Sequence, residues 1–276
     1  MTVPLPCTVC DSPSALERRI PEANLYRCPS CDHCFSGLRS MEGFEEYDPD
    51  YFERTHRRWF THPNLALFAY LHRYIKTSAP DAAVIDVGSG RGDFLKYLRQ
   101  ASPRLTLVGI DLSPPPAAEG IKFIQGDALT ADIGRTFDVV VSLAVIEHVT
   151  DIHLFTRRLR ELCAPGGSVI IMTNHERGLL YQTARVLYTL GYRRPCERLY
   201  SRHHLNHFNT SSLTRLLSLH GLSVVRIHYH NTPIRAVDIP ASSGMTEAVL
   251  RTMVCGVWLL GRLTRRTFLQ TMVCRR

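Results

Sequence analysis

No stretch of the 276-residue chain offers ~18 consecutive uncharged apolar residues, so no membrane-spanning helix is expected. No segment recurs at a fixed period, which excludes solenoids and propellers. The N-terminus, MTVPLPCTVCDSPS, lacks a charged region followed by an apolar run, and no secretory leader is expected there. Neither sign of charge dominates: 33 Lys+Arg stand against 25 Asp+Glu for a net charge of +8. That bias is compatible with an anionic substrate, nucleic acid or membrane surface and selects none of them. The cysteine count is also not even. Nine cysteines, five of them within the first 34 residues, fit a reducing compartment with a metal site better than a disulfide framework. What is present is enough for a core, since 45% of residues are hydrophobic, and a wholly disordered chain is excluded. At ~150 residues per domain the length suits one large domain, alone or with a small one.

Cys7-Thr-Val-Cys10 and Cys28-Pro-Ser-Cys31 are two C-x2-C pairs separated by 17 residues. Two tight knuckles, each presenting a pair of thiolates, supply the tetrahedral ligand set of structural zinc, and the spacer falls within the usual range of roughly 15–20. The first forty residues hold too few large apolar side chains to fold without such a staple. The reading is a zinc ribbon over residues 1–40 with Cys7, Cys10, Cys28 and Cys31 as ligands. Cys34 and His33 are alternative ligands, and incidental or redox thiols are the rival reading.

Residues 82–174 alternate β-branched runs with helical periodicity. Strands are expected over 83–87, 105–110, 122–124, 137–142 and 168–173, with helices over 94–100 and 152–162. Such alternation implies parallel strands with right-handed crossovers and a ligand beyond the strands' carboxyl ends. The first strand runs into Asp86-Val-Gly88-Ser-Gly90-Arg-Gly92, where glycines permit a tight bend and close approach of a ligand. The spacing is G-x-G-x-G, with Asp93 opening the helix, so the dinucleotide fingerprint is not met. No Gly-Lys-Ser/Thr follows, which excludes a P-loop. Asp111 ends the second strand, where a carboxylate accepts from ribose hydroxyls, and Asp127 follows the third, in reach of an adenine amine with Leu129 against the ring. Three acidic groups at successive strand ends suit a cationic ligand without phosphate, and S-adenosylmethionine is such a ligand. The rival is that Asp86 and Asp127 only cap turns.

Asp86–Phe94, Gly109–Asp111, Gly126–Asp127, Asp138–His148 and Cys163–Asn174 together resemble the successive motifs of class I S-adenosylmethionine-dependent methyltransferases. The likeness is strongest to the ubiquinone-biosynthesis O-methyltransferase-like family, also described as methyltransferase domain 23, and covers roughly residues 80–230. It implies an α/β, Rossmann-like fold: a mainly parallel seven-stranded sheet with helices on both faces, preceded here by the small zinc ribbon. It implies cofactor contacts at Asp86, Gly88, Ser89, Gly90, Gly92, Asp111, Leu112, Asp127, Ala128 and Leu143. One departure is Ser113-Pro-Pro-Pro116, where the family has a full helix that a proline run cannot continue.

Methyl transfer from a sulfonium is an in-line displacement that rests mostly on alignment, with a general base needed only if the acceptor must lose a proton. Glu147-His148 follows the fourth strand at the carboxyl edge, and in the resembled family this pair lies beside the active site. His148 is therefore the first candidate for base or acceptor positioning, with Glu147 beside it; the rival is a histidine bonded to backbone at a helix start. His204 and His207, in Arg202–Asn209, are further candidates, against a plain loop or a second metal site. Thr210-Ser-Ser is expected to cap the helix that follows. The insertion 175–203, with Tyr181, Tyr188, Tyr192 and Tyr200, reads as a substrate lid. Tyr47–Phe52 resembles a cofactor-covering segment of zinc-ribbon methyltransferases, and 63–75 reads as a helix on the sheet.

The organisation expected is a ribbon over 1–40, linker and helices over 41–80, a cofactor domain over 81–242 and an amphipathic helical tail over 243–276. The tail's Trp258 and terminal arginines suit either an anionic membrane or packing on the domain or a partner subunit. The function expected is methyl transfer to a small-molecule acceptor in the cytoplasm, with O-methylation favoured over C-methylation. The alternatives are C-methylation of a nucleotide-linked sugar, methylation of guanine in ribosomal RNA, and an inactive zinc-ribbon adaptor. No nucleic-acid partner is expected, because Arg18, Arg19 and Arg27 are balanced by Asp11, Glu17, Glu22 and Asp32 across the ribbon.

Overall fold

Residues 3–21, 23–38, 57–78, 80–114, 116–237 and 244–276 are described by the computed structural model, and Tyr47–Phe52 lies outside them. The knuckles sit in a small antiparallel sheet of β1 (Leu5–Pro6), β2 (Pro13–Arg19), β3 (Asn24–Arg27) and β4 (Cys34–Ser36). Two helices follow, α1 (Arg57–Thr61) and α2 (Leu65–Ser78). Then come β5 (Ala83–Val87), α3 (Asp93–Ala101), β6 (Thr106–Asp111), β7 (Ile121–Gln125) and β8 (Phe137–Leu143). A 3-10 turn, Ile146–His148, leads to α4 (Ile152–Leu162) and β9 (Cys163–Asn174). The remainder is α5 (Leu179–Thr189), α6 (Arg194–Leu199), β10 (Asn206–His207), α7 (Thr210–Leu219), β11 (Ser223–His230), a second 3-10 turn (Ile234–Ala236), α8 (Gly244–Leu263) and β12 (Leu269–Arg275).

Among the described residues seven strands form the main sheet in the order β11-β12-β9-β8-β5-β6-β7. The neighbours from β9 to β7 are parallel, whereas β12 runs antiparallel to both β9 and β11. Parallel strands covered on both faces should be apolar throughout, and β5 is buried at every position. Alternate residues feed opposite layers. Ile85 and Val140 meet α4 and α7 on one face; Val84 and Val139 meet α2 and α3 on the other.

The helices start where side chains satisfy their first amides. Asp151 accepts from Leu154 N–H at 2.8 Å, and Asn64 accepts from Leu67 N–H at 3.1 Å. At α7 the cap residue is Asn209, just before the Thr210-Ser-Ser hydroxyls expected from the sequence, and of those Ser212 closes a reciprocal box with it. No helix among the described residues follows β6, in keeping with the proline run at 114–116.

The tail departs from the expected single helix. α8 ends at Leu263, Arg265 takes a positive φ of 57°, and residues 269–275 form β12 inside the sheet. Leu269, Met272, Val273 and Cys274 are buried from both faces, so what reads as one side of a helix is a doubly covered strand. A short apolar run carries too little periodicity to separate the two.

The knuckle sheet does not stand apart. Its fifth strand is β10, paired with β4 in the register Asn206↔Phe35 and His207↔Cys34. Ile20 and Leu25 of the ribbon pack against Tyr181, Cys196 and Tyr200 of the 175–203 segment.

Candidate active site

The four ribbon thiols converge: Cys7, Cys10, Cys28 and Cys31 have sulfurs all within 4.8 Å of one another. Cys7–Cys31 and Cys10–Cys31 are 3.6 Å apart and Cys10–Cys28 is 3.5 Å. Thiolates on tetrahedral zinc, each about 2.3 Å from the metal, stand roughly 3.8 Å from one another, so the donor set fits. The Cys7 thiol is drawn down to about 5 by its hydrogen bond to Cys31 and by the amides of Val9 and Cys10. The alternative ligands point elsewhere. Cys34 faces Glu17 from β4, and buried His33 bonds Ser212 and Asn206, each at 3.4 Å.

At the carboxyl ends of β5, β6 and β7 the chain opens a cavity of about 1260 Å³. Gly88 has φ of +76°, and a side chain there would run into Val145. Gly90, at φ +49°, has no heavy atom within 4 Å of where a Cβ would stand, which leaves bare backbone facing open space. Asp111 holds this bend: its carboxylate accepts from Gly90 N–H at 2.7 Å and from Ser113 N–H at 2.8 Å. Gly88, Gly90, Asp111, Leu112, Asp127, Ala128 and Leu143 all line the cavity. Asp127 also accepts from Leu129 N–H at 2.9 Å and so shapes the turn it was expected to serve from.

Three expected contacts stand behind the lining. Gly92 is a packing glycine, because a Cβ would meet the Phe123 ring at 2.6 Å. Ser89 turns its hydroxyl towards Gly109. Asp86 is 3% exposed within β5, and its Oδ1 has no partner among the described residues. Burial, and then the neighbouring Asp111 charge, push its carboxyl up to about 7.

Beyond β8 the 3-10 turn sets Glu147 and His148 on the cavity wall. Glu147 is 2% exposed, accepts from the Thr173 hydroxyl at 2.9 Å, and is pushed up to about 7 by burial. His148 Nδ1 donates to the His203 carbonyl at 2.8 Å, which makes Nε2 the basic nitrogen of its neutral ring. The His204 ring lies edge-on to it at 4.8 Å and also lines the cavity. His207 does not join them. It is 1% exposed on β10 beside Tyr200, and burial holds it down at about 4, so it is a core residue and not a cavity group. Its surroundings come from the pairing of β10 with the distant β4, a contact that no local pattern announces.

α5 and α6 also contribute to the lining, and Arg194, Arg198 and Arg202 are among the residues that face the cavity. Tyr181 and Tyr200 of this segment are core side chains, Tyr188 lies under the Arg18 guanidinium, and Tyr192 is exposed. Sequence reasoning missed Trp59 and gave Trp258 a membrane or packing role without placing it in the site, yet both tryptophans of the chain line the cavity. Their rarity was the available signal.

A mainly parallel sheet with a glycine bend open to solvent and acidic groups along its strand ends is a Rossmann-like arrangement, in which ligands bind beyond the strands' carboxyl ends. A family model described as a methyltransferase domain matches residues 52–227, and the chain belongs to that family. It is 35% identical over 101 residues to the ubiquinone biosynthesis O-methyltransferase of Azorhizobium caulinodans, covering 33% of this chain and 39% of that protein. It is 32% identical over 94 residues to the demethylmenaquinone methyltransferase of Roseiflexus castenholzii, covering 31% and 40%. The chain thus spans about two fifths of the length of these curated relatives. A solved S-adenosylmethionine-dependent methyltransferase from Archaeoglobus fulgidus shares the fold, with a TM-score of 0.52, 18% identity, and coverage of 84% of this chain and 100% of that one.

Proposed function

We propose that this protein is an S-adenosylmethionine-dependent methyltransferase acting on a small-molecule acceptor, with oxygen as the favoured methylated atom. One observation carries the reading: a bare glycine bend at Gly90, tied by its own amide to Asp111, opens into a large cavity beside a buried carboxyl at Asp86 that lacks a partner. The cofactor supplies a methyl group on a positively charged sulfonium. The Gly88–Gly90 backbone would lie against its nucleoside, Asp111 would accept from the ribose hydroxyls, and Leu112, Asp127, Ala128 and Leu143 would border the adenine. Asp86 would face its charged end. Glu147, His148 and His204 stand where an acceptor would enter, and Nε2 of His148 is suited to take an acceptor proton. The Cys7, Cys10, Cys28 and Cys31 thiolates would hold zinc in a closed, structural site.

Calorimetric titration of the full chain with S-adenosylmethionine tests the reading. Micromolar binding is expected, weakened about 10- to 100-fold by Asp111→Ala as hydrogen bonds to a charged acceptor are lost. No binding to the unaltered chain, or equal binding by the variant, would overturn it.

We place the protein in a reducing, cytoplasmic setting and extend the proposal to a peripheral membrane contact. No helix among the described residues is long and apolar enough to cross a membrane. Yet Met245, Val249, Met253, Leu259, Leu260 and Leu263 leave an exposed apolar stripe along α8, a helix that packs against α5. Arg262, Arg265 and Arg266 are exposed at its end, which suits an anionic bilayer. Sedimentation with phosphatidylglycerol vesicles, absent with phosphatidylcholine and lost in Leu259→Glu/Leu263→Glu, is the expected outcome; a discrete dimer without vesicle binding would replace the bilayer with a second copy. The division into ribbon 1–40, linker 41–80, cofactor domain 81–242 and tail 243–276 belongs to this proposal, with the tail's last strand lodged inside the sheet.

A further inference from the structure

The ribbon and the cavity wall are joined through one buried side chain. Asn206, 2% exposed, lies on β10 between the knuckle sheet and the turn that bears Glu147 and His148. Its Oδ1 accepts from the hydroxyl of Thr8, inside the first knuckle, at 3.0 Å, and from His33 Nε2 at 3.4 Å. Its Nδ2 donates to the Val149 carbonyl at 2.9 Å. The amide is thus satisfied from both sides and has one orientation that works.

The backbone around it repeats the link. Ser36 N–H donates to the Leu205 carbonyl at 2.9 Å, and Leu205 N–H donates to the Glu147 carbonyl at 2.8 Å. The His203 carbonyl accepts a hydrogen bond from His148 Nδ1. One strap, residues 203–206, is therefore held on one edge by the ribbon and holds on its other edge the two groups facing the cavity.

We propose that Asn206 is a positioning residue, and that the knuckle, through Thr8 and Asn206, fixes the Glu147–Val149 turn in the geometry the active site uses. A 3-10 turn of three residues has little stability of its own, because it closes few hydrogen bonds for the backbone it orders. Its order must come from neighbours. Residues 203–206 bond to the turn through the His203 carbonyl, Leu205 N–H and Asn206 Nδ2, the ribbon holds those residues from the other side, and a filled metal site would keep the ribbon rigid. The catalytic meaning of this link rests on the function proposed above; the mechanical link does not.

Hydrogen exchange of the full chain tests it with no acceptor needed, because His148 and Val149 amides close the turn onto Val145 and Ile146. Asn206→Leu should speed exchange across residues 145–149 about tenfold, and Thr8→Val about threefold, by removal of one or more buried hydrogen bonds. Thr8→Ser, which keeps the hydroxyl, should restore the protected rate, and chelation of the metal should reproduce the acceleration until zinc is returned. Residues 83–87 and 106–111 should exchange as before, with S-adenosylmethionine affinity within about threefold. Unchanged exchange at 145–149 in both variants, or equal acceleration everywhere, would overturn the proposal. Failure of the unaltered chain to bind S-adenosylmethionine would sink the function and leave the exchange result standing.

Discussion

Two carboxyls, Asp86 and Glu147, are buried at the cavity and both are pushed up to about 7 by burial. A carboxyl whose folded value lies above its unfolded one binds its proton more tightly in the native state. Native stability therefore falls as pH rises from the ordinary carboxylate range through about 7, as charge is forced into the interior. A cationic ligand reverses that preference, because it favours the ionised form. S-adenosylmethionine affinity is thus expected to rise with pH up to about 7, by up to tenfold per unit, and to flatten in Asp86→Asn; a flat profile in the unaltered chain, measured by calorimetry, would remove Asp86 from the site. At this scale the sequence was informative where chemistry is local. Gly88, Gly90 and Asp111 sit within one bend and one strand end, and the four cysteines declare themselves by spacing. His207 and the two tryptophans acquire their surroundings from elements far away along the chain, so their roles were not legible.

Among the elements, β5 to β9 follow from alternating strand and helix patterns, while β12 does not. Its seven residues pair with β9 on one side and β11 on the other, so it is interior to the sheet. Val273, fully buried, is a direct probe. Val273→Asp would bury an unpaired charge and is expected to abolish soluble folding, or to cost at least about 3 kcal/mol in urea titration. A helical tail lying on the surface would tolerate it. The reading of 243–276 as one helix failed because α8 and β12 are both rich in apolar residues, and only pairing with β9 distinguishes them.

At the scale of the whole molecule, ribbon and sheet share a buried ionic centre. Burial alone would raise Glu176, but Arg27 of β3 and Arg185 of α5 beside it, with the Tyr200 hydroxyl, bring its carboxyl down to about 2. Asp32 of the ribbon is likewise held by Arg177 and by Asn209 at the start of α7. Because the folded value of Glu176 is depressed, its contribution is present above the ordinary carboxylate range and is lost as pH falls towards 2. Glu176→Gln leaves two largely buried guanidinium groups without their shared counter-charge, and a loss of about 3–5 kcal/mol is expected in denaturant titration. A loss below about 1 kcal/mol would mean that water already screens the centre. The insertion of β12 between β9 and β11 has a further consequence during synthesis. Once β9 leaves the ribosome it exposes a bare hydrogen-bonding edge while everything from His175 to Phe268 is still being made. At ~5–20 residues per second that interval lasts several seconds, long enough for a nascent chain to depend on a chaperone to keep that edge from foreign strands.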